Sequence, residues 1–352
     1  MLKKIIQQLS GRAVAAPVPP DDMSEEQRKA QTAEHWSQNQ AGSDAFSADV
    51  YWLAVPAVQQ RHQQKATAGS GHAHWVPYCL NTFLADRLPV PRMLSIGCGT
   101  GTLERELYKL QAFQDCDAVD IAPAALDTAR AEAAALGTRT LHYSLTDVER
   151  VQLPSAHYDA VWFNGSLHHI RQLEKVCANV RQALKADGWL FFNEYVGANH
   201  FAFDQAQCAA ISHAFALIPP AMRRSFVQGS YGQVQNNVPL PDPQEVVKVD
   251  PSEAVRSQDI LKVVEQHFEI QALNTCGGTL LQFLLHGIAG NFKADDPQAM
   301  RVLRMLFDIE DGLIESGTLN SDFVIVAATP KQSESVPVSY THLRAHETPE
   351  HL

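Results

Sequence analysis

The apolar positions of this chain change rhythm three times. Between Pro91 and Tyr195 short apolar runs alternate with amphipathic stretches; on either side they do not. Residues 92–98 (RMLSIGC), 116–121, 139–143, 158–163 (YDAVWF) and 189–195 have the length and β-branched or aromatic content of strands. Residues 102–110, 123–136 and 173–184 have helical spacing. The second of these opens with Pro123, whose fixed φ suits a first helical turn. Strands alternating with helices predict an α/β fold, doubly wound and Rossmann-like, with a mostly parallel sheet covered on both faces.

The flanks divide the rest. Residues 1–45 are polar, carry Pro17, Pro19 and Pro20, and predict a flexible leader with one short helix. Residues 46–90 hold Phe46, Tyr51, Trp52, Trp75, Tyr78 and Phe83, and predict helices packed on the core at 91–196. Residues 197–320 contain helical stretches near 203–217, 257–266, 279–289 and 297–315, and a strand-like run at 268–274 that serves as strand six. This segment is too apolar and too long for a loop, which rarely exceeds about 12–15 residues, so it predicts a helical cap. Residues 321–331 include a closing strand at 323–329. Residues 332–352 read as a disordered tail; 336–352 (VPVSYTHLRAHETPEHL) has no period and resembles a translated sequencing adapter. It is set aside, together with His342, His346 and His351.

At 352 residues the chain exceeds a single-domain length of about 100–200. Lys and Arg number 28 against 39 Asp and Glu, a net charge of −11. An acidic chain is a poor partner for nucleic acid or an anionic membrane by charge alone. No run approaches the ~20 apolar residues of a membrane span. Polar residues interrupt any signal-peptide core at the N-terminus. The six cysteines include no CxxC pair, so no metal site is expected and a reducing, cytoplasmic setting fits.

Candidate chemistry clusters at the strand ends. Gly97-Cys98-Gly99-Thr100-Gly101 joins a strand to a helix with GxGxG spacing; glycines there permit positive φ and close approach of a ligand to the backbone. Asp120, at the end of the second strand, suits two ribose hydroxyls or the capping of the next helix. Ile121 suits an adenine face or the core. Asp147, in the loop after the third strand, suits an exocyclic amine or a turn. After the fourth strand comes Asn164-Gly165-Ser166-Leu167-His168-His169-Ile170.

Taken together these residues resemble the class I S-adenosylmethionine-dependent methyltransferases, and within them a small-molecule branch with a Leu-His-His-Ile motif. The resemblance covers residues 93–195, with 323–329 similar to the family's reversed last strand. It implies a seven-stranded sheet, S-adenosylmethionine as cofactor and a small-molecule acceptor. It also implies donor contacts from Gly97, Cys98, Gly99, Gly101, Asp120, Ile121, Asp147, Val148 and Asn164. Glu104 and Arg105 lie too far into the helix to be carried over. NEYVG (193–197), DPSEAVRS (250–257) and GGTLLQFLLHGIAGNF (277–292) resemble a bacterial group associated with glycan- or lipid-related substrates.

Transfer to an oxygen or acidic carbon calls for a base, most often His near neutral pH. His168 and His169 are candidates, with packed or capping histidines as the alternative. Glu194 is placed to orient substrate or accept a proton. Tyr195 and Arg256 are candidate acceptor contacts; a surface ion pair fits Arg256 equally. Asp250 and Glu253 have capping-box spacing. The leading reading is a methyltransferase for a small, lipid- or sugar-linked acceptor enclosed by the cap. A non-catalytic donor-binding module is the alternative, followed by a nicotinamide-dependent oxidoreductase. The oligomeric state stays open.

Overall fold

The computed structural model describes residues 23–38, 47 and 49–331. Phe46, the leader's prolines and the segment 332–352 lie outside these residues.

Within 91–196 the elements follow the apolar rhythm. They are β1 (Val90–Ile96), α4 (Thr102–Lys109), β2 (Phe113–Asp120), α5 (Pro123–Ala135), β3 (Leu141–Leu145), β4 (Tyr158–Asn164), α6 (Leu173–Ala183) and β5 (Leu184–Tyr195). Before them lie α1 (Glu25–Gln38), α2 (Pro56–Ala66) and α3 (Trp75–Phe83). After them come α7 (Gln205–Ala216), α8 (Pro243–Val249), α9 (Ile260–His267), β6 (Phe268–Gly277), α10 (Leu281–Leu284), α11 (Pro297–Glu315) and β7 (Phe323–Pro330). The strands form a seven-stranded sheet in the order β3-β2-β1-β4-β5-β7-β6. The pairings are parallel through β5, and β7 runs antiparallel to both neighbours.

Two bounds moved. β3 begins two residues later than its apolar content suggests. It is an edge strand with little burial, so pairing of Cys116 with Leu141 and Asp120 with Leu145 decides its register. β5 begins at Leu184 rather than 189, because Tyr158 pairs with Leu184 across an irregularity in β4.

Alternate strand residues feed two cores. Leu94, Ile96, Val161, Phe163, Phe192 and Val326 face α6 and α9. Met93, Trp162, Phe191, Ile325 and Ala327 face α3 and α4. Burial on both sides is why these strands are apolar nearly throughout.

A third core belongs to the cap. Ile211, Phe215, Leu284, Phe292 and Leu303 pack with Trp52, Val55 and Val58. Residues 46–90 therefore do not act as one block: 52–58 join the cap, whereas 75–84 cover the sheet. Arg61 ties α2 to α11 through Glu310 (2.8 Å) and Asp311 (2.6 Å). Glu310 in turn accepts from the Leu280 and Leu281 amides. The helix expected over 279–289 shortens to α10 and a 3-10 turn at Ala289–Asn291, because Gly287 takes positive φ and breaks it.

Candidate functional site

The turn after β1 is held by the strand beside it. The amides of Gly97 and Cys98 both donate to the carbonyl of Val119, at 2.8 and 3.1 Å. Gly97 has φ +70°, and a methyl group there would lie 2.3 Å from Ser166 Cβ. Gly101 has φ +77°, and its methyl would meet Tyr143 Oη at 2.4 Å. Only glycine satisfies both the dihedral and the space at these positions. Asp120 closes the turn from the end of β2: Oδ2 accepts from the Gly99 amide (2.7 Å) and Oδ1 from the Ala122 amide (2.8 Å). It does not cap α5, whose preceding residue is Ala122 with no side-chain cap. A carboxylate has about four acceptor positions, so Asp120 retains capacity for hydroxyls.

These residues wall a cavity of about 480 Å³ outside the carboxyl ends of the strands. Gly97, Cys98, Gly99, Asp120, Ile121, Asp147, Val148 and Asn164 all line it; Gly101 lies behind the turn. Asn164 is fixed by Asn193, whose amide donates to its Oδ1 at 2.9 Å. Burial pushes the Cys98 thiol up, and nearby carboxylates push it further, so it is a packing group and not a nucleophile.

One side of the cavity carries His169, with His168 packed beside it. Glu194, fully buried at the end of β5, accepts from the amides of Ser166 (2.8 Å) and Leu167 (2.7 Å). Its other oxygen is 2.7 Å from His168 Nδ1, which leaves His168 Nε2 facing Glu253 at 3.7 Å. His169 lines the cavity itself; its Nδ1 is 2.9 Å from Ser252 Oγ. Burial disfavours the His168 imidazolium, but Glu194, Glu253 and Asp250 outweigh it and hold its pKa above the ordinary value. His169 is held below, by burial and by the charge of His168. Among the described residues, His168, His169 and Glu253 bring ligand-type atoms within 4.8 Å of one another. Such a set is suited to sharing protons or to holding a divalent cation.

The remaining wall comes from α1. Lys29 binds Asp147 (2.6 Å) and Glu149 (2.8 Å). Thr32 Oγ1 and Trp36 Nε1 each donate to Asp250, both at 2.9 Å. Gln31 donates to the Lys248 carbonyl. The Trp36 ring meets His169 edge-on at 5.2 Å. The one helix expected within 1–45 is present at 25–38, but it is not loosely held: it bridges the sheet and the cap. One face of this polar helix meets polar partners, with Thr32 buried against Asp250, while Glu25, Glu26, Gln27 and Glu34 stay exposed.

Comparison with known proteins bears on this arrangement. The family described as "Methyltransferase domain" matches residues 94–192. Malonyl-[acyl-carrier protein] O-methyltransferase of Paenibacillus sp. (strain JDR-2) is 27% identical over 131 residues, 37% of this chain and 47% of that protein. The enzyme of the same name from Serratia marcescens is 28% identical over 154 residues, 44% of this chain and 52% of that protein. The chain thus spans about half the length of these relatives, or less. Among solved structures it is similar to geranyl diphosphate C-methyltransferase from Streptomyces coelicolor A3(2), with TM-score 0.44 and 13% identity, covering 86% of this chain and 98% of that one. Residues 94–192 form a class I S-adenosylmethionine-dependent methyltransferase domain.

The methyl donor that the resemblance implies is S-adenosylmethionine. The cavity suits it: a glycine turn with open space above Gly99, and acids on the wall where the second and third strands end. The other predicted residues fall elsewhere. Tyr195 is buried, donates to the Ala198 carbonyl (3.2 Å) and packs on Phe201 and Phe323. The Arg256 guanidinium reaches both Glu174 oxygens (2.7 and 2.8 Å) and Asp259 (2.9 Å); neither Tyr195 nor Arg256 lines the cavity. Asp250 and Glu253 form no capping box; Asp250 ends α8, its amide donating to the Val246 carbonyl. Asp250 instead gathers Thr32, Trp36 and Ser252, and Glu253 faces the histidines. Sequence reasoning missed Lys29, Thr32 and Trp36, and it excluded Glu104. A polar helix rich in Gln, Lys and Thr gives no sign of what it will cover. The one available signal was Trp36, an aromatic in an otherwise hydrophilic stretch. No helix of the described residues is long and apolar enough to cross a membrane.

Proposed function

We propose that this chain transfers a methyl group from S-adenosylmethionine to a small-molecule acceptor, lipid- or sugar-linked, held under the cap. The observation that carries this reading is one cavity with the glycine turn, Asp120 and Asp147 on one wall and His169 on another. Gly97, Cys98 and Gly99 would hold the amino acid part of the donor, with Gly101 shaping the turn behind them. Asp120 would hold the ribose; Asp147, Ile121 and Val148 would hold the adenine, with Asn164 at the strand-four edge. When bound, the donor supplies a methyl group on a positively charged sulfur.

The chain's own work is alignment and proton removal. His169 is the candidate base. It faces the cavity, and its lowered pKa keeps it neutral near pH 7. His168 is a positioning residue, fixed by Glu194 in one tautomer and packed against His169 with ring centroids 4.2 Å apart and the planes tilted by 40°. The relatives' names specify transfer to oxygen; a base serves this chain where the accepting oxygen is a hydroxyl. We extend the reading to a cytoplasmic setting without a nucleic-acid partner, supported by six cysteines in no disulfide and by the net charge of −11.

The test is transfer of label from methyl-labelled donor to the small-molecule fraction of a cell extract. Label in that fraction, lost in His169→Ala, is the expected result. Tight S-adenosylhomocysteine binding with no transfer to any fraction would replace the enzyme by a binding module.

A further inference from the structure

We propose that Glu104 is the counter-charge for the α-ammonium group of the donor, a contact that the position of Glu104 inside α4 had argued against. The inference rests on the donor reading above and adds to it a residue outside the glycine turn and the two strand-end acids. Glu104 stands in the first turn of α4 and lines the same cavity as Gly97 and Asp120. Its side chain is fully buried, yet neither carboxylate oxygen has a hydrogen-bond partner in good geometry. The nearby Tyr143 hydroxyl is buried and equally without one.

A buried carboxyl left unpaired is costly, so such groups are kept where a ligand completes them. Burial pushes Glu104 up to about 7, against the opposing pull of Ser95, its own amide and Arg105. The ligand that would complete it is cationic and can donate more than one hydrogen bond. A primary ammonium does both, with three N–H donors for two acceptor oxygens. The glycine turn beside it offers backbone contacts to the rest of an amino acid. Position β1 itself carries no acid near the turn: the residue two before Gly97 is Ser95. Glu104 is therefore the carboxylate available on this wall besides Asp120, whose oxygens already hold the Gly99 and Ala122 amides.

The experiment is calorimetric titration of the full chain with two probes, S-adenosylhomocysteine and its des-amino analogue with hydrogen in place of the α-amino group. Wild type should prefer S-adenosylhomocysteine by roughly tenfold or more, the usual size of a hydrogen bond to a charged group. Glu104→Gln should cut that preference to about threefold or less. Binding to wild type should also release protons near neutral pH, since a carboxyl whose pKa burial has raised becomes fully ionised against the ammonium. That release, read from titrations in buffers of different ionisation enthalpy, should vanish in Glu104→Gln. Equal preference in both proteins, with S-adenosylhomocysteine still bound, overturns the role of Glu104 and leaves the donor reading standing. Failure of wild type to bind S-adenosylhomocysteine removes both. Should Glu104→Gln not fold, wild type decides alone: no preference between the probes and no proton release overturn the proposal.

Discussion

The two walls of the cavity are built in different ways. The donor wall is one continuous piece of backbone logic. A turn, two strand ends and Asp120 lie within a few dozen residues, and backbone amides fix them. The opposite wall is a meeting of strangers: Trp36 from α1, His169 from the turn after β4 and Ser252 from the cap, with His168 and Glu253 packed behind them. Side chains hold it, through Glu194 and Asp250. The difference implies that donor affinity and turnover respond to separate sets of substitutions. A wall held by backbone amides also tolerates loss of a neighbouring side chain better than one held by side-chain bonds.

The sharpest way to break this contrast is His169→Ala. Turnover should fall about a hundredfold, the low end of what a positioned base contributes, with S-adenosylhomocysteine affinity within about threefold of wild type by calorimetry. A comparable loss of affinity would merge the two walls into one unit. Next in size is Asp120→Ala, which should weaken S-adenosylhomocysteine by more than tenfold, because Gly99 and Ala122 lose their acceptor along with the ribose. Unchanged affinity in a folded variant would contradict the assignment.

The pH profile sharpens the same contrast. His169 is held below its ordinary value of about 6.5 and must be neutral to accept a proton. Turnover at saturating donor should therefore rise with pH through a value below about 6.5 and then level. A limb centred well above it would point to His168 instead, whose pKa is held up.

Asp250→Ala should uncouple α1 from the cap. We expect a loss of about 1–3 kcal/mol in denaturant unfolding, since the buried Thr32 hydroxyl and the half-buried Trp36 indole lose their acceptor, and faster proteolysis within 25–38. Asp250 is held below the ordinary carboxylate range; burial opposes this, but His169, Ser252 and Thr32 prevail. Its contribution to stability should be present above about pH 4, the unfolded value, and be lost as pH falls through the lower folded value. The smallest effect belongs to Arg256→Ala. Its partner Glu174 is half exposed, so stability should change by less than about 1 kcal/mol and turnover should hold. A large drop in turnover would return Arg256 to the acceptor site.

Much of the sheet was readable because each buried strand must be apolar on both faces and each crossover helix must be amphipathic. GxGxG, Asp120 and Asp147 could be placed from sequence because strand order fixes where their ends converge. Glu104 was not readable in this way. Helical position alone does not say whether a carboxylate in the first turn faces solvent or a cavity; packing of α4 on Trp162 and Leu107's neighbours does.

The local sequence thus determined the α/β alternation, the glycine turn and the two acids at the strand ends, since these depend on backbone dihedrals and short-range periodicity. Tertiary structure alone decided that α1 closes the cavity, that residues 52–58 join the cap and that Glu253 meets the histidines. Those contacts join segments up to about two hundred residues apart, and their geometry depends on how three separate cores pack, which no local pattern encodes.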